Sequence, residues 1–246
     1  MMTWTRLAAT GLTCAALAGC AGSQTREDNP QDPWEGFNRG VYSFNNTLDT
    51  YALRPVAQGY DYVTPAPVKE GVGNFFSNLG EVSNTFNSLL QWKPTNAGTS
   101  FGRLLINTTL GLGGVLDPAT RMGIEATEED FGQTLAVWGV DAGPYLVLPF
   151  LGPSTLRDTA GLPVDWYTAP STYIDDDATR WGLRFINLVD TRAALLDQEG
   201  LISGDRYSFI RDTYLQRRQF LIDDGRAGED PFGSEDFEFD DSDFAD

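Results

Sequence analysis

Large apolar side chains return every three or four positions along most of the chain between residues 32 and 222, the spacing that lays one stripe along an α-helix. Trp34, Phe37, Val41, Phe44 and Leu48 form the first stripe. Asp32 is placed to cap this helix, with Pro33 at its first position and Glu35 where a capping-box acid sits. Pro55 predicts the start of a short second helix carrying Val56, Tyr60 and Val63. After Pro65 and Pro67, the positions Val68, Val72, Phe75, Phe76 and Leu79 predict a helix ending at Gly80. A further apolar face runs from Val82 to Leu90, and another helix is predicted from about Thr95 to Leu110. Asp175, Asp176 and Asp177 precede a stripe of Ala178, Trp181, Phe185, Leu188 and Leu196, where acids suit the positive end of a helix dipole. The last helix is expected from about Asp205 to Leu221.

Strand-like alternation is scarce and no fixed-period repeat is visible, so the body reads as mainly helical. No segment after the N-terminal leader approaches the eighteen or so apolar residues that span a bilayer as a helix. Amphipathic faces of this kind pack a core or face lipid; core packing is the expectation for any single helix. Two segments break the pattern. Leu110 to Pro118, "LGLGGVLDP", mixes three glycines with large apolar residues, and Gly143 to Pro153, "GPYLVLPFLGP", holds six apolar residues around Pro149. Gly and Pro interrupt regular structure, yet the side chains need apolar cover. Their residues Leu110, Gly111, Gly113, Gly114 and Leu116, with Tyr145, Leu146, Val147, Leu148, Pro149, Phe150 and Leu151, are candidates for a wall or mobile gate that meets an apolar ligand.

The N-terminus changes the setting. Arg6 followed by the apolar stretch Leu7 to Leu17 reads as a secretory signal over residues 1–19. The sequence Leu17-Ala18-Gly19-Cys20 resembles the lipobox of bacterial lipoproteins, which makes Cys20 a lipidation site. Cys14 leaves with the signal, so no disulfide is expected. Residues 20–31 form a polar tether, with Ala21 to Gln31 spanning about 18 Å as a flexible chain. A multiply acylated cysteine is an effectively permanent anchor, which holds the body, residues 32–222, against the membrane.

The formal charge of the 246 residues is −18. Residues 223–246 hold eleven acids against Arg226 and read as a solvated, disordered acidic tail. So acidic a chain argues against nucleic acid, whose phosphates require Lys and Arg, and against electrostatic docking on anionic lipid. Membrane contact must be apolar.

Histidine is absent, which removes Ser-His-Asp and Cys-His nucleophile systems and histidine-based zinc sites. There is no G-x-S-x-G elbow, and Leu116 and Phe76 stand where dinucleotide loops would need glycine. Paired carboxylates are uninformative among 35 acids. No calcium loop, other metal site or cofactor is expected, and the chain is not expected to be an enzyme. Fifteen of the seventeen basic residues are arginine. Because guanidinium forks suit phosphate, Arg103 and Arg157, each beside a break segment, are candidate headgroup contacts; ordinary salt bridges are the alternative.

With those residues laid out, the chain resembles the MlaA family, also called VacJ, of outer-membrane phospholipid-handling lipoproteins. The resemblance runs from about Asp32 to Arg226 and rests on "DPWEGFNRGVYSFN", "LRPVAQGYDYVTP", "RLLINTTLGLGGVLDPA", "DFGQTLAVWGV", "GPYLVLPFLGPSTLRD", "LVDTRAALLD" and "YSFIRDTYLQRRQFLIDDG". It implies an all-α, ring-like single domain around a central amphipathic channel, lying in the periplasmic leaflet of the outer membrane of a Gram-negative bacterium beside a trimeric porin. It also implies passive movement of misplaced phospholipid from the outer leaflet to a periplasmic lipid carrier of the Mla type. A non-catalytic envelope scaffold is the competing reading. The acidic tail lies outside the resemblance.

Overall fold

The computed structural model describes residues 29–202 and 204–225. Cys20, the signal and all but the first three residues of the acidic tail lie outside that range. Nine α-helices and one hairpin are found among the described residues: α1 (Glu35–Leu48), α2 (Arg54–Val63), α3 (Ala66–Leu90), α4 (Pro94–Thr109), α5 (Pro118–Arg121), α6 (Phe131–Val137), β1 (Tyr145–Leu148), β2 (Gly152–Thr155), α7 (Leu156–Thr168), α8 (Asp177–Ala194) and α9 (Arg206–Ile222). A π-helical segment, Asp49–Leu53, joins α1 to α2, so the two run on without a break. Pro55 sits in the first turn of α2. It has no N–H to continue an α-helical ladder across the join, which accounts for the looser winding before it.

Each element packs against the next around a closed circuit. The α1–α2 rod meets α8, α8 meets α3, α3 meets α7, α7 follows β2, and β1 returns to α1. Helix α4 lies along α3 outside this circuit. At the crossing of α6 and α7, a Cβ on Gly161 would stand 2.9 Å from the Gly132 nitrogen, so only glycine permits the approach.

Three local expectations need correction. Asp32 does not cap α1: the cap position is Trp34, and the Asp32 carboxylate is buried, accepting from Asn38 Nδ2 at 2.8 Å, the Tyr207 hydroxyl at 2.5 Å and Arg211 at 3.4 Å. Gly80 does not end a helix, because α3 runs 25 residues straight through it, packed between α4 and α8; tertiary contacts outweigh the ~1 kcal/mol intrinsic cost of one helical glycine. The run Tyr145 to Thr155 is an antiparallel hairpin pairing Tyr145 with Thr155 and Leu148 with Gly152. All four residues of β1 are apolar, so hydropathy carries no trace of the in-and-out alternation that burial shows.

The largest surprise is which faces point inward. Among the described residues, eighteen polar or charged residues are buried against eight hydrophobic ones, while 34 large hydrophobic side chains are exposed. On α1, Trp34, Phe37, Phe44 and Leu48 face out and Asn38 faces in. The expectation that such stripes pack a core is therefore reversed. A small apolar core remains where Tyr145, Val147 and Tyr207 meet Val41, Tyr42, Tyr214 and Leu215. None of the described helices is long and apolar enough to cross a membrane.

Candidate functional site

Buried polar side chains are tolerable only when their hydrogen bonds are made internally, and here they replace apolar packing as the connection between elements. Asn38 and Asn45, two turns apart on α1, act as a surrogate strand beside β1. Asn38 donates to the Tyr145 carbonyl at 3.0 Å and accepts from Val147 N–H at 2.9 Å. Asn45 repeats the pattern on the Leu148 carbonyl and the Phe150 N–H, both at 2.9 Å. The open edge of the hairpin is thereby satisfied by a helix face.

Arg103 does the same between α3, α4 and α5. Its guanidinium, 2% exposed, donates to Glu81 at 2.6 Å, Asp117 at 3.0 Å and Thr120 at 2.9 Å, and also to the Ile124 carbonyl. Burial pushes the Asp117 carboxyl up, but the Thr120 hydroxyl and N–H, Arg103 and Asn107 outweigh it and leave the pKa at about 2. Arg103 is thus committed within the protein, which corrects its assignment as a headgroup contact. Arg157 is also buried and donates to Asp158 at 3.0 Å, yet it opens on a cavity of about 390 Å³ beside α9 whose lining mixes polar residues with Leu215 and Ile222.

The apolar site is elsewhere. A groove of about 470 Å³ lies between the α1–α2 rod, the hairpin tip and α8. Leu48, Leu53 and Val56 form one wall, Phe150 and Leu151 the second, and Phe185 and Leu188 the third. Phe44 meets Phe150 edge to face at 5.4 Å and steadies the tip. At the polar rim, Asp49 accepts two bonds from Arg192, at 2.7 and 2.9 Å; Arg192 also reaches Glu199, which pairs with Arg54 at 2.8 Å. This chain of charges fixes the π segment to α8 and gives the groove one wet edge and an otherwise greasy lining. A smaller cavity of about 190 Å³, with Phe76 and Leu79 of α3 and Leu183 of α8, lies further round the circuit.

Of the residues singled out in the sequence, Phe150 and Leu151 reach the groove. Tyr145 and Val147 do not: they point into the protein core, so their assignment to a ligand wall is corrected. Leu146 and Leu148 are half-buried and Pro149 is exposed. Leu110, Leu112 and Leu116 are exposed on a separate turn, while Gly111 and Gly114 are buried beneath it. At Gly114, with φ +92°, an added Cβ would stand 2.5 to 2.8 Å from the Asn78 side chain, so the turn is moulded to α3. Of the groove residues that sequence reasoning missed, Leu48, Val56, Phe185 and Leu188 sat on predicted helical stripes, whose direction was not visible, and Leu53 lay on none, in the π segment between two of them.

Among the described residues no acid–base pair faces the groove, since Asp49 is matched by Arg192. One carboxyl elsewhere is perturbed upward: burial, aided by neighbouring Asp130, outweighs the N–H of Phe131 and brings Asp165 to about 6. It sits at the α6–α7 packing. Among the described residues no group of three potential metal-ligating side chains is found.

The family model described as MlaA lipoprotein matches residues 30–221. The chain is 40% identical over 233 residues to the Intermembrane phospholipid transport system lipoprotein MlaA of Escherichia coli strain K12, covering 89% of this chain and 90% of that one. It is 35% identical over 237 residues to the protein of the same name from Haemophilus influenzae, with the same coverage. A solved structure described under "Structural basis for maintenance of bacterial outer membrane lipid asymmetry" is similar with a TM-score of 0.69 and 38% identity, over 78% of this chain and 98% of that chain.

Proposed function

Since the chain belongs to the MlaA lipoprotein family, we propose that it carries phospholipid between the outer membrane and the periplasm, as a passive conduit that helps keep the two leaflets different. The reversed burial supports this reading above all else: a body that hides amides and carboxylates and displays Trp, Phe and Leu is suited to apolar surroundings, and its connected interior polar groups suit a path that is wet in the middle. The groove under the hairpin tip seats an acyl chain against Leu48, Phe150, Phe185 and Leu188, and the Asp49–Arg192 rim gives the adjoining glycerol and headgroup a hydrated border. Movement needs no covalent step. A misplaced lipid runs down its own free-energy gradient once the barrier between leaflets is lowered. In this proposal acylated Cys20 holds the body in the periplasmic leaflet, a trimeric porin lies alongside and a soluble periplasmic carrier takes the lipid away.

Reconstitution into vesicles with labelled phospholipid confined to the distal leaflet, and an acceptor protein outside, tests the reading. Transfer to the acceptor should require the protein and fall at least tenfold with Phe185→Asp/Leu188→Asp, while the helical circular-dichroism signal is unchanged. Transfer that is indifferent to a charged groove would discard the acyl-chain site; no transfer by the wild type would discard the conduit.

A further inference from the structure

The cavity beside α9 is rich in donors and poor in acceptors. Arg157 lines it and is 7% exposed, yet among the described residues its guanidinium makes one hydrogen bond, from Nε to Asp158 at 3.0 Å. Its terminal nitrogens, which carry the other four N–H groups, are left without an acceptor there. Arg218, on the same wall, is matched to Asp130 and Asp158, but its Nε is buried with no partner. Gln31 and Gln216 add side-chain amides, and Ala142, Leu215 and Ile222 an apolar side. The acid on the lining, Asp212, already accepts from Arg211 Nε at 2.8 Å. Buried guanidinium donors without acceptors are costly, so the cavity suits an anion that carries a compact apolar group.

The chain itself supplies such a group close by. α9 ends in a Schellman motif: Asp224, at φ 54°, donates to the Leu221 carbonyl at 3.2 Å, and Gly225, at φ 73°, donates to the Phe220 carbonyl at 2.9 Å. The cap stops the helix just beyond Ile222, itself part of the lining. Measured back along the helix from Gly225, Gln219 lies at about 9 Å and Gln216 at about 14 Å, at 1.5 Å per residue. The sequence continues Arg226-Ala227-Gly228-Glu229-Asp230-Pro231-Phe232. Extended at about 3.3 Å per residue, Glu229 and Asp230 reach about 13 and 17 Å from Gly225, and Phe232 about 23 Å. Pro231 fixes its own φ and confines Asp230 to extended angles, so this stretch has less freedom to lose on docking.

We propose that the cavity is a seat for residues 229–232 of this same chain: a carboxylate of Glu229 or Asp230 engages the terminal nitrogens of Arg157, and the Phe232 ring lies against Leu215 and Ile222. Attachment decides the occupant. A tethered segment is present at millimolar effective concentration, which a free anion has to match from solution. Carboxylate also fits the planar guanidinium fork bidentately. The acidic tail then has a place on the body it extends from, and this seat is independent of lipid conduction.

In the mature, acylated full chain no free thiol is expected, so an introduced pair of cysteines reports docking. In detergent micelles with a mild oxidant, Gln216→Cys/Phe232→Cys should close a disulfide at least fivefold faster than Thr213→Cys/Phe232→Cys, because Thr213 is exposed on the same helix but off the cavity. Adding Arg157→Gln to the first pair should slow closure at least fivefold. Adding Glu229→Gln/Asp230→Asn should do the same, and because these positions lie outside the folded body, that arm decides the matter even where Arg157→Gln misfolds. Equal closure at 213 and 216, or closure at 216 that a folded Arg157→Gln or the tail substitutions leave unchanged, refutes the seat. Closure slowed by inorganic phosphate or dihexanoyl phosphatidic acid but indifferent to the tail substitutions assigns the cavity to a phosphate group and refutes it as well.

Discussion

Replacing Arg103 by methionine removes the cation that joins α3, α4 and α5 while keeping much of its volume. Its partner Glu81 is 1% exposed, and the one other side-chain bond found to its carboxylate comes from Asn84 at 3.2 Å. Breaking a buried ion pair from one side costs about 3–5 kcal/mol, because the remaining charge is stranded away from water. For a chain of this size each kcal/mol lowers the melting temperature by about 2–4 °C, so Arg103→Met should melt roughly 6–20 °C below the wild type. Thermal scans of the detergent-solubilised mature protein, followed by far-UV circular dichroism, measure this directly. The decisive control is Arg103→Met/Glu81→Met. Because an apolar pair of similar volume is often as stable as the ion pair it replaces, the double variant should regain more than half of the lost temperature. A single variant within about 3 °C of wild type, or a double variant no better than the single, would refute the claim that a stranded charge, and not lost packing, is what the substitution creates.

Asp165→Asn should flatten one part of the pH profile of stability. A carboxyl raised to about 6 in the fold binds protons that the unfolded chain, titrating near 3.9, has already lost. Its contribution to stability is therefore largest below about pH 4 and declines as the pH rises to 6, and the wild type should lose melting temperature over that window relative to Asp165→Asn. Asp117, at about 2, works in the opposite sense: its stabilisation is complete above about pH 4 and fades as the pH falls toward 2, a loss that Asp117→Asn should not share. Asn38→Ala leaves the Tyr145 carbonyl and Val147 N–H without partners beside a buried strand, and should destabilise the protein by about 2–4 kcal/mol, read from denaturant midpoints. Gly114→Ala combines a left-handed backbone with contact on Asn78 and should cost about 1–3 kcal/mol, loosening the Leu110–Leu116 turn in hydrogen exchange.

The helices were legible because their signal is local. α4 and α9 match their predicted bounds to within a residue, and α8 opens on the predicted acids, with Asp176 accepting from the Thr179 N–H at 2.7 Å as its cap. The hairpin was hidden because Tyr145, Leu146, Val147 and Leu148 are uniformly apolar and their partner strand, Gly152 to Thr155, is polar in part. Asp32 misled because its position suits a cap equally well, and only the distant Tyr207 and Arg211 draw it into the interior. Periodicity reports that a helix has two faces and is silent on which one meets its neighbours. Asn38, Glu81 and Asn107 are buried, and Asn45 half-buried, through pairings as distant as 109 positions along the chain. The groove was half visible for the same reason: Phe150 and Leu151 stand out in an irregular segment, whereas Phe185 and Leu188 look like any helix stripe.

The reversed placement of polar and apolar groups has a calorimetric consequence. The heat-capacity rise on unfolding comes mainly from greasy surface meeting water for the first time, and here 34 large aromatic and aliphatic side chains among the described residues are already exposed, against four that are fully buried. Melted out of detergent or lipid-free, the protein should show an increment well below the usual ~12–15 cal/mol/K per residue, and with it a shallow, broad stability curve. Water alone then offers this chain little incentive to adopt its shape; the solvent that rewards the fold is the one made of hydrocarbon tails.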